Sequence, residues 1–440
     1  MAGRARRTIG DYFELCRGNT YKSALLEQAG PVLLGLGSIQ RNGGFRSDSL
    51  KTYGGESPDR LLVQPGELYL SLKDVTQSGD LLGAVARLPM NQPIGRLTQD
   101  TVKLKPVGNN VPLSYLYWLL RTPQYRSYCR SHATGTTNLG LAREDFLSFP
   151  APEPTQQQSH LAEMLDALED KFELNRRMNE TLESIARAMF KSWFVNFDPV
   201  RAKMSGEPPE SVCQRLGLTP DLLALFPDRL VDSELGEIPE GWEVQSFADT
   251  VEVIGGGTPK TSVAEYWNGD IPWFSVVDAP NPSDIWVVDT EKMITQQGVE
   301  NSAVKILPVG TTIISARGTV GKIALVGVPM AMNQSCYGLK AKTGEGLFNY
   351  FSTQRMVAVL QQHTHGSVFD TITRATLEGV ETVSPTSGLV DKFEELVRPY
   401  LSTIKTNIQQ SGTLATLRDS LLPRLLFGEL RVPTVEEAVA

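Results

Sequence analysis

Side chains that most often carry catalytic or metal chemistry are sparse in this sequence of 440 residues. The cysteines are Cys16, Cys129, Cys213 and Cys336, and the histidines are His132, His160, His363 and His365. No cysteine pair has the spacing of metal ligands, and no histidine has an acidic or cysteine partner at such spacing. The pair His363-x-His365 would suit a metal on a strand, but a polar role in a loop is the commoner use. The sequence therefore predicts no metal site and no disulfide framework, as expected of a reduced, cytoplasmic protein.

The segment GGGTPKTS (residues 255–262) has the composition of a phosphate-binding loop. It follows the strand-like residues 251–254 but lacks the spacing G-x-x-x-x-G-K-[ST], and its proline argues against immediate entry into a helix. The alternatives are a turn that contacts nucleic acid and a plain structural turn. Neither Asn-Pro-Pro-Tyr nor Asp-Pro-Pro-Tyr, the catalytic motifs of adenine methyltransferases, is present. The residues thus offer no catalytic constellation.

Charge is distributed unevenly along the chain, whose formal net charge is -8. Residues 1–150 carry 18 basic and 12 acidic side chains, a net of +6, whereas residues 151–240 carry 9 and 17, a net of -8. Residues 241–387 have a net of -5 and residues 388–440 a net of -1. The basic first segment would suit a polyanion, although ordinary surface variation also produces such a difference. In the acidic third segment, contact with nucleic acid requires a local basic patch.

The elements that would position these residues follow from a repeat. Two segments, at about residues 156–194 and 389–426, carry the same amphipathic helical pattern. Eleven apolar positions of the first recur 232 residues later in the second. They are Leu161, Met164, Leu165, Leu168, Phe172, Leu182, Ile185, Met189, Phe190, Trp193 and Phe194. One shared offset favours two copies of one unit over two unrelated helices.

Each pattern predicts a helix of about 40 residues, which would be about 60 Å long at 1.5 Å per residue. Its apolar stripe must be buried, and the other copy is the obvious candidate to cover it. Two copies of one unit in a single chain imply an approximate two-fold axis.

The segments that precede the two helices also share landmarks. Pro65-Gly66 resembles Val309-Gly310, and the β-rich runs that follow end in Lys73 and Arg317. We match residues 90–92 (MNQ) with residues 332–334 (MNQ), and residues 132–135 (HATG) with residues 363–366 (HTHG). The offsets of 244, 242 and 231 differ because loops gain and lose residues readily.

Both globular segments predict a mixed α/β fold with short strands, Gly/Pro/Asn turns and helices at about residues 113–130 and 348–362. The connector is expected to form turns around one short helix at residues 220–226. The predicted regions are a globular domain (1–152), a long helix (153–197), a connector (198–240), a second globular domain (241–386), a second long helix (387–428) and a tail (429–440).

The first long helix and its exit, LDALEDKFELNRRMNETLESIARAMFKSWFVNFDPVRAK (165–203), closely resemble the central conserved region of type I restriction-modification specificity subunits. LGEIPEGWEV (235–244) and the glycine-rich segment 255–262, with EYW (265–267) and GDIPW (269–273), resemble that family's entry into a target recognition domain. The closing SLLPRLLFGELRV (420–432) resembles its distal conserved region. The resemblance covers the whole chain in order, but the first unit opens at TIGD (8–11) without the PEGW lead of the second.

This resemblance implies two target recognition domains held apart by an antiparallel pair of long coiled-coil helices. Each domain would read one part of a split site in double-stranded DNA, and the helix pair would set the spacing. The specificity subunit itself would be non-catalytic and hold no cofactor. Two modification subunits would methylate adenine with S-adenosylmethionine, and restriction (motor-nuclease) subunits, which use ATP and Mg, would join them for cleavage.

For DNA contacts, the suitable side chains are Arg, Lys, Asn and Gln at base edges, with Ser and Thr on phosphate. The first-unit candidates are Arg41, Asn42, Arg46, Lys73, Asn91, Gln92 and Thr136. The second-unit candidates are Thr258, Lys260, Arg317, Thr319, Lys322, Asn333, Gln334 and Ser367. For each residue alone, a solvated surface position is an equally good interpretation. We rank the Arg317–Lys322 loop and Lys260 highest in the second unit because they concentrate positive charge there.

The long helices carry two further groups. Asn175 interrupts the apolar stripe of the first helix, and Asn407 occupies the same position in the second. They either set the register of the helix pair or face solvent. Arg187, Lys191, Trp193, Phe194 and Phe197 cluster at the exit of the first helix. They either bind a modification subunit or pack against the connector.

The alternative to a DNA-specificity subunit is a duplicated coiled-coil scaffold without nucleic-acid binding, which the acidic total charge favours slightly. No run approaches 18 apolar residues, so we expect no membrane association through a spanning helix. No 7–15-residue apolar stretch follows the basic start, so a secretory signal is not expected.

Overall fold

The computed structural model describes residues 7–48, 50–136, 138–363 and 371–427. Its architecture is mixed α/β. The chain divides into two compact units, one made of Met1–Asp170 with Leu414–Ala440 and the other of Lys171–Thr413. The predicted tail, residues 429–440, and the landmark HTHG at 363–366, apart from the helical position of His363, lie outside the described residues.

The first unit is built from short strands and short helices. Its strands are β1 (Phe13–Arg17), β2 (Val32–Leu34), β3 (Leu62–Val63), β4 (Leu68–Ser71), β5 (Lys73–Asp74), β6 (Val85–Arg87), β7 (Gly95–Leu97), β8 (Thr101–Pro106), β9 (Ala133–Thr134) and β10 (Leu139–Leu141). Its helices are α1 (Leu113–Leu119), α2 (Pro123–Ser131) and α3 (Arg143–Leu147).

The predicted helix at 113–130 is therefore two helices. Pro123 occupies the first turn of α2, where its missing N–H costs nothing but ends the preceding helix. The Thr122 side chain caps the new helix by accepting a hydrogen bond from the Tyr125 N–H at 3.4 Å.

A four-stranded antiparallel sheet with the order β1-β8-β4-β6 lies at the centre of the first unit. All four residues of β4 are buried, since both faces of this strand are covered. One face packs against the α1–α2 segment through a core that includes Trp118, Tyr125 and Phe146. A second sheet, β2-β7-β3, and a small one, β5-β10-β9, complete the unit.

The first long helix, α4 (Gln156–Phe194), has the bounds that its apolar periodicity predicts. The connector that follows differs from the prediction, because it contains three helices and a hairpin. These are α5 (Asp198–Met204), α6 (Pro209–Leu216), α7 (Pro220–Ala224), β11 (Leu230–Ser233) and β12 (Gly236–Pro239). Each helix has a proline in its first turn, so residues that indicate turns in a sequence here start helices.

The second unit repeats the mixture of short elements. Its strands are β13 (Glu243–Ser246), β14 (Val251–Gly255), β15 (Trp267–Phe274), β16 (Trp286–Val287), β17 (Met293–Ile294), β18 (Thr312–Ser315), β19 (Ile323–Val326), β20 (Ala331–Met332), β21 (Cys336–Ala341) and β22 (Glu381–Ser384). Its helices are α8 (Phe247–Thr250), α9 (Gln296–Glu300), α10 (Leu347–His363) and α11 (Arg374–Glu378). The second long helix, α12, is Ser387–Phe427.

The main sheet of the second unit has the order β14-β21-β18-β19-β16. Its first four strands are antiparallel and follow the same order, by position in the unit, as β1-β8-β4-β6. In each unit a separate strand pair is parallel, β2 with β7 and β15 with β20. Gly66 and Gly310, both with positive φ (88° and 86°), precede the equivalent buried strands β4 and β18. The topology therefore supports the internal repeat that the sequence predicts.

Segments of the two long helices run antiparallel within the second unit, as contacts along them show. Asn175 reaches Ser411 at one end, and Phe190 packs on Phe393 at the other. In the first unit, Leu165 and Leu168 share a core with Leu421 and Leu422.

Within the described ranges, no helix has the length and apolarity needed to cross a membrane. In the same part of the chain, no group of three or more His, Cys, Asp and Glu side chains is arranged to hold a metal ion.

Candidate nucleic-acid interface

Three loops of the second unit leave the same end of its main sheet. Gly255 at the end of β14 pairs with Tyr337, and Ser315 at the end of β18 pairs with Cys336, the first residue of β21. The loops that follow β14, follow β18 and precede β21 therefore emerge side by side. They carry seven of the eight predicted DNA-binding residues of this unit, namely Thr258, Lys260, Arg317, Thr319, Lys322, Asn333 and Gln334. Ser367 lies outside the described residues.

Hydrogen bonds join the three loops. The Thr258 hydroxyl donates to the side-chain oxygen of Gln334. The backbone N–H of Gly257 donates to the Met332 carbonyl at 3.0 Å, and that of Ala316 donates to the Ser335 carbonyl at 2.8 Å. The candidate residues are thus held as one surface instead of on independent loops.

Glycine is required where the first of these loops crosses the third. A Cβ on Gly256 would overlap the carbonyl group of Asn333, so a side chain at this position would separate the loops. Two indole N–H groups hold the rest of the glycine-rich segment in place. Trp273 donates to the Gly257 carbonyl at 3.0 Å, and Trp267 donates to the Lys260 carbonyl at 3.3 Å. The glycine-rich segment is therefore a braced turn that presents the exposed Lys260.

The loop between β18 and β19 is organised by the buried Ser315. Its hydroxyl donates to the Thr319 carbonyl at 2.6 Å and accepts from the Lys322 N–H at 2.8 Å. Arg317, Thr319 and Lys322 are exposed around this turn. Lys260, Arg317 and Lys322 form no ion pair within the described part of the chain, so their charges remain available to a polyanion.

The first unit presents an equivalent set of loops. Arg17 at the end of β1 pairs with Val102, and Ser71 at the end of β4 pairs with Thr101, the first residue of β8. Lys73 lies two residues after Ser71, as Arg317 lies two after Ser315. Lys73 pairs with Gly140, three residues before α3, and Arg317 pairs with Thr371, three residues before α11. The predicted equivalence of Lys73 and Arg317 is therefore confirmed by position.

Other first-unit candidates join this end of the sheet. Asn42 adopts a left-handed conformation with φ of 62°, which asparagine tolerates well, and leaves Arg41 exposed beside it. Its side chain accepts a hydrogen bond from Arg130 at 3.2 Å. Thr136 is exposed in the turn between β9 and β10, the strands that lead to Lys73. Arg46 is partly neutralised by Asp48 at 3.0 Å.

The predicted match between the two MNQ segments is wrong. Asn91 and Gln92 follow β6 and lie toward the opposite end of the sheet, where Arg87 pairs with Leu68. The structural counterpart of residues 333–336 (NQSC) is residues 98–101 (TQDT). The first segment forms the turn that enters β21, and the second forms the turn that enters the equivalent strand β8. The two MNQ segments have identical residues but are not equivalent, because equivalence is defined by position in the strand order. Asn91 and Gln92 are not brought together with Lys73.

The sequence comparison also missed a first-unit loop. Residues 18–22 (GNTYK) follow β1 as residues 256–260 (GGTPK) follow β14, and both fit the pattern G-x-T-x-K. A Cβ on Gly18 would overlap the carbonyl group of Thr98, just as one on Gly256 would overlap that of Asn333. The pattern at an offset of 238 could have identified this loop from sequence.

Asn175 and Asn407 are buried, with 1% and 7% of their surfaces exposed, so the solvent-facing alternative is wrong. The Asn175 amide donates to the Ser411 hydroxyl at 3.2 Å, and the Asn407 amide donates to the Asn179 side-chain oxygen at 2.9 Å. These two contacts are related by the offset of 232 residues, since 175 and 411 map onto 407 and 179.

Of the two alternatives for the aromatic side chains at the exit of α4, the structure shows packing against neighbouring elements. Trp193, Phe194 and Phe197 are buried, with 2%, 3% and 6% of their surfaces exposed. They pack on Phe226 of the connector, on Trp242 just after it and on Phe393 of α12, because aromatic side chains at a helix end bury large areas against any adjacent element. Of the predicted partner-binding group, only Arg187 and Lys191 are exposed.

The globular part of the first unit contacts α4 through two carboxylates. Asp166 accepts hydrogen bonds from Arg87, from the Ser114 hydroxyl at 2.6 Å and from the Trp118 indole at 2.7 Å. Glu169 accepts from the Tyr117 hydroxyl at 2.8 Å and pairs with Arg121. Burial raises the pKa of Asp166, but its hydrogen bonds and the Arg87 charge outweigh burial, and the net pKa is lowered. We call these seven side chains the carboxylate clamp.

The second unit contacts the long helices differently. Phe190, Trp193 and Phe194 of α4 and Phe393 of α12 pack with Phe348 and Phe351 of α10. The loop before β16 adds polar contacts, since Asn179 donates to Asp284 at 3.0 Å and the Trp286 indole donates to the Leu401 carbonyl at 2.8 Å. We call the six aromatic side chains the aromatic cluster.

Known proteins resemble this chain along most of its length. A family model described as the type I restriction modification DNA specificity domain matches residues 239–383. The HindI type I restriction enzyme specificity subunit of Haemophilus influenzae is 28% identical over 367 residues, which cover 74% of this chain and 79% of that protein. The MjaIX specificity subunit of Methanocaldococcus jannaschii is 31% identical over 186 residues, which cover 42% of this chain and 43% of that protein.

Among solved structures, the S subunit of a type I restriction-modification system from M. genitalium has a TM-score of 0.56 and 14% sequence identity. The match covers 95% of each chain, so the two proteins share their fold. The chain is thus similar in sequence to type I restriction-modification specificity subunits and shares the fold of one of them.

Proposed function

We propose that the chain is the DNA sequence-specificity subunit of a type I restriction-modification complex and reads a split site. One observation carries the proposal. Each unit has its own sheet with the same four-strand order, and each brings basic and amide side chains to the equivalent end of that sheet. Lys73 and Arg317 occupy equivalent positions there, as do the G-x-T-x-K loops. Two equivalent reading surfaces on one chain suit two separate half-sites.

The two target recognition domains are residues 1–152 and 241–386, and an antiparallel coiled-coil helix pair sets their spacing. The contacts Asn175–Ser411 and Asn407–Asn179 support an approximate two-fold relation between the helices. The buried amides fix the register of the pair, and hence the length of unread DNA between the half-sites.

DNA recognition divides between two kinds of contact. Exposed cations such as Lys260, Arg317 and Lys322 bind phosphates and position the duplex without reading its sequence. Amide side chains such as Asn333 and Gln334 read base edges in the major groove. Because the chain has a net charge of -8, affinity depends on local patches and on the modification subunits bound with it.

The chemistry resides in the partners. Modification subunits supply S-adenosylmethionine-dependent adenine methylation, and restriction subunits supply ATP- and Mg-dependent cleavage, while this chain is non-catalytic and acts in the cytoplasm. Arg187 and Lys191, exposed near the end of α4, are the remaining candidates for contact with a modification subunit.

Sequencing of methylated adenines tests this function. DNA from a host that carries the chain with a matching modification subunit is expected to show one motif of two short defined halves around an unread spacer. An assembled complex that methylates no defined motif would contradict the proposal and favour a protein scaffold without nucleic-acid binding.

The Arg317–Lys322 loop gives a sharper test. Replacing Arg317 and Lys322 together with Gln is expected to weaken or alter recognition of one half of the motif and leave the other half intact. Matched replacement of Lys392 and Lys405, both on α12, is the control. Equal weakening of both halves by the loop variant would show that the loop does not belong to one reading surface.

A further inference from the structure

A tight turn in the second unit presents one of the predicted base-reading residues. In residues 333–336 (NQSC) the Cys336 N–H donates to the Asn333 carbonyl at 3.3 Å, which closes the turn. The Asn333 side chain accepts from the Ser335 N–H at 3.0 Å and stiffens it. Gln334 occupies the second position and is exposed.

The first unit contains the same turn at the same place. In residues 98–101 (TQDT) the Thr101 N–H donates to the Thr98 carbonyl at 3.2 Å. Gln99 occupies the second position and is exposed. Each turn lies between a glycine loop and a basic loop, since Gly18 and Gly256 pack on the first residue of the turn and Lys73 and Ala316 contact the third.

The turn itself does not explain glutamine at its second position. That position of a four-residue turn accepts most residue types, with proline favoured. The other three positions differ between the copies, whereas glutamine occupies the second position in both. Neither glutamine side chain closes its turn. Both are exposed, and although the Gln334 oxygen accepts from Thr258, its NH2 group is free, among the residues that the structure describes, to meet an external partner, as the Gln99 amide is.

The surroundings favour a nucleic-acid partner. Lys22 and Lys260 end the equivalent G-x-T-x-K loops, and both are exposed. Lys73, at the position of Arg317, lies 3.1 Å from Asp100, the residue that follows Gln99. A primary amide flanked by cations suits a base edge between two phosphates, and glutamine pairs best with adenine, through its N6 and N7.

We propose that Gln99 reads a base edge, with adenine the best fit, in the half-site of the first recognition domain, from the same turn position that Gln334 occupies in the second. Lys22 binds a neighbouring phosphate. This inference rests on the proposed function and adds residues in the first unit that the sequence comparison did not identify.

The test measures adenine methylation by the complete complex on the cognate site and on sites with single base changes in each half. Gln99→Ala is expected to reduce discrimination by about tenfold at one base pair of one half-site and nowhere else. Gln334→Ala is expected to do the same in the other half. Lys22→Gln should weaken methylation of all sites alike and lower its salt dependence, because a phosphate contact carries no sequence information.

Gln64→Ala is the matched control, since Gln64 is an exposed glutamine in a turn of the same unit, closed by the Glu67 N–H at 3.0 Å, at the opposite end of the sheet. The wild-type motif should survive it. A wild-type split motif that Gln99→Ala leaves unchanged would overturn this inference alone. A wild-type complex without any motif would overturn the proposed function as well.

Discussion

The two units share a topology but contact their long helices through different chemistry. In the first unit the carboxylate clamp joins Asp166 and Glu169 of α4 to two arginines and three hydrogen-bond donors of the globular part. In the second unit the aromatic cluster packs α10 against the two long helices, and Asn179–Asp284 adds a polar bond. The offset of 232 places Arg398 and Leu401 where the first helix has Asp166 and Glu169.

This difference shows that the two copies of the unit keep the position of their contact with the long helix but use different residue types to make it. Arg398 pairs with Glu345 at 2.8 Å near the surface, so the charge at this helical position has reversed together with its partner. Clamp contacts depend on protonation and geometry, whereas aromatic contacts depend on buried area. The two halves of the molecule should therefore respond differently to mutation and to pH.

The largest expected effect is in the aromatic cluster. Phe393→Ala removes a fully buried ring that contacts the five other rings of the cluster, and it should lower the free energy of unfolding of the second unit by about 3–5 kcal/mol. Chemical denaturation of the chain in its complex, followed by tryptophan fluorescence, measures it. Leu396→Ala on the same helix is the control, because Leu396 is 38% exposed. Equal losses in the two variants would contradict the central position of Phe393.

A smaller loss is expected in the clamp. Asp166→Ala leaves the Ser114 hydroxyl and the Trp118 indole without their acceptor, while Arg87 keeps its contact with Glu169 at 3.3 Å. About 2 kcal/mol of unfolding free energy should be lost, less than for a fully buried pair because about a quarter of the Arg87 and Asp166 side chains is exposed. The exposed Asp170 gives the control variant Asp170→Ala. Hydrogen exchange should show reduced stability in the first unit only. Reduced stability in both units would contradict the view that the carboxylate clamp and the aromatic cluster act independently.

Lowering the pH should change the stability of the two units in opposite directions. The pKa of Asp166 is lowered in the folded state, so its contribution to stability is present above its usual pKa of about 4 and is lost as pH falls through the folded pKa. Burial raises the pKa of Glu183 in the second unit, despite its pairing with Arg187, so protonation of Glu183 favours folding as pH falls toward its usual pKa. Hydrogen exchange as a function of pH tests both signs. Glu183→Gln should abolish the second trend and leave the first.

The smallest effect on stability should come from the amide pair. Asn407→Leu removes one buried hydrogen bond but adds apolar contact, so the free energy of unfolding should change by about 1 kcal/mol or less. Its consequence should be in register, seen as more than one spacer length among methylated motifs. Gln409→Leu is the control, since Gln409 is exposed on the same helix. A single unchanged spacer with Asn407→Leu would show that this amide does not set the register.

The sequence predicted features that depend on periodicity and failed where packing decides. The apolar stripe gave both long helices nearly to the residue, and Gly66 and Gly310 marked equivalent strands because their positive φ constrains the residue type. Buried Asn175 and exposed Gln409 have similar polarity, so only the structure shows which amide lies between the helices. For Trp193 the sequence left partner binding and intramolecular packing open, because the residues that cover it come from segments distant in sequence.

The candidate interface shows the same limit. Arg317, Lys322 and Lys260 could be predicted because cations in an acidic region stand out. The G-x-T-x-K pattern could have identified Lys22, but Gln99 could not be singled out in a basic segment until the strand order showed which turns correspond. Loop equivalence depends on three-dimensional position, which drifting sequence offsets conceal.

The apolar stripe of α4 has a consequence during synthesis of the chain. About 190 residues separate Phe194 from Ser387, so at about 5–20 residues per second the ribosome needs about 10–40 s to deliver the partner helix. The clamp residues of the first unit are already made by then, whereas the surfaces that cover Phe190 and Asn175 are not. Ser411, which meets Asn175, and Asn179, which meets Asn407, occupy equivalent positions of the two copies, so α4 of a neighbouring nascent chain offers a similar complementary surface. The order of translation, and not the final fold alone, therefore determines which helix α4 meets first.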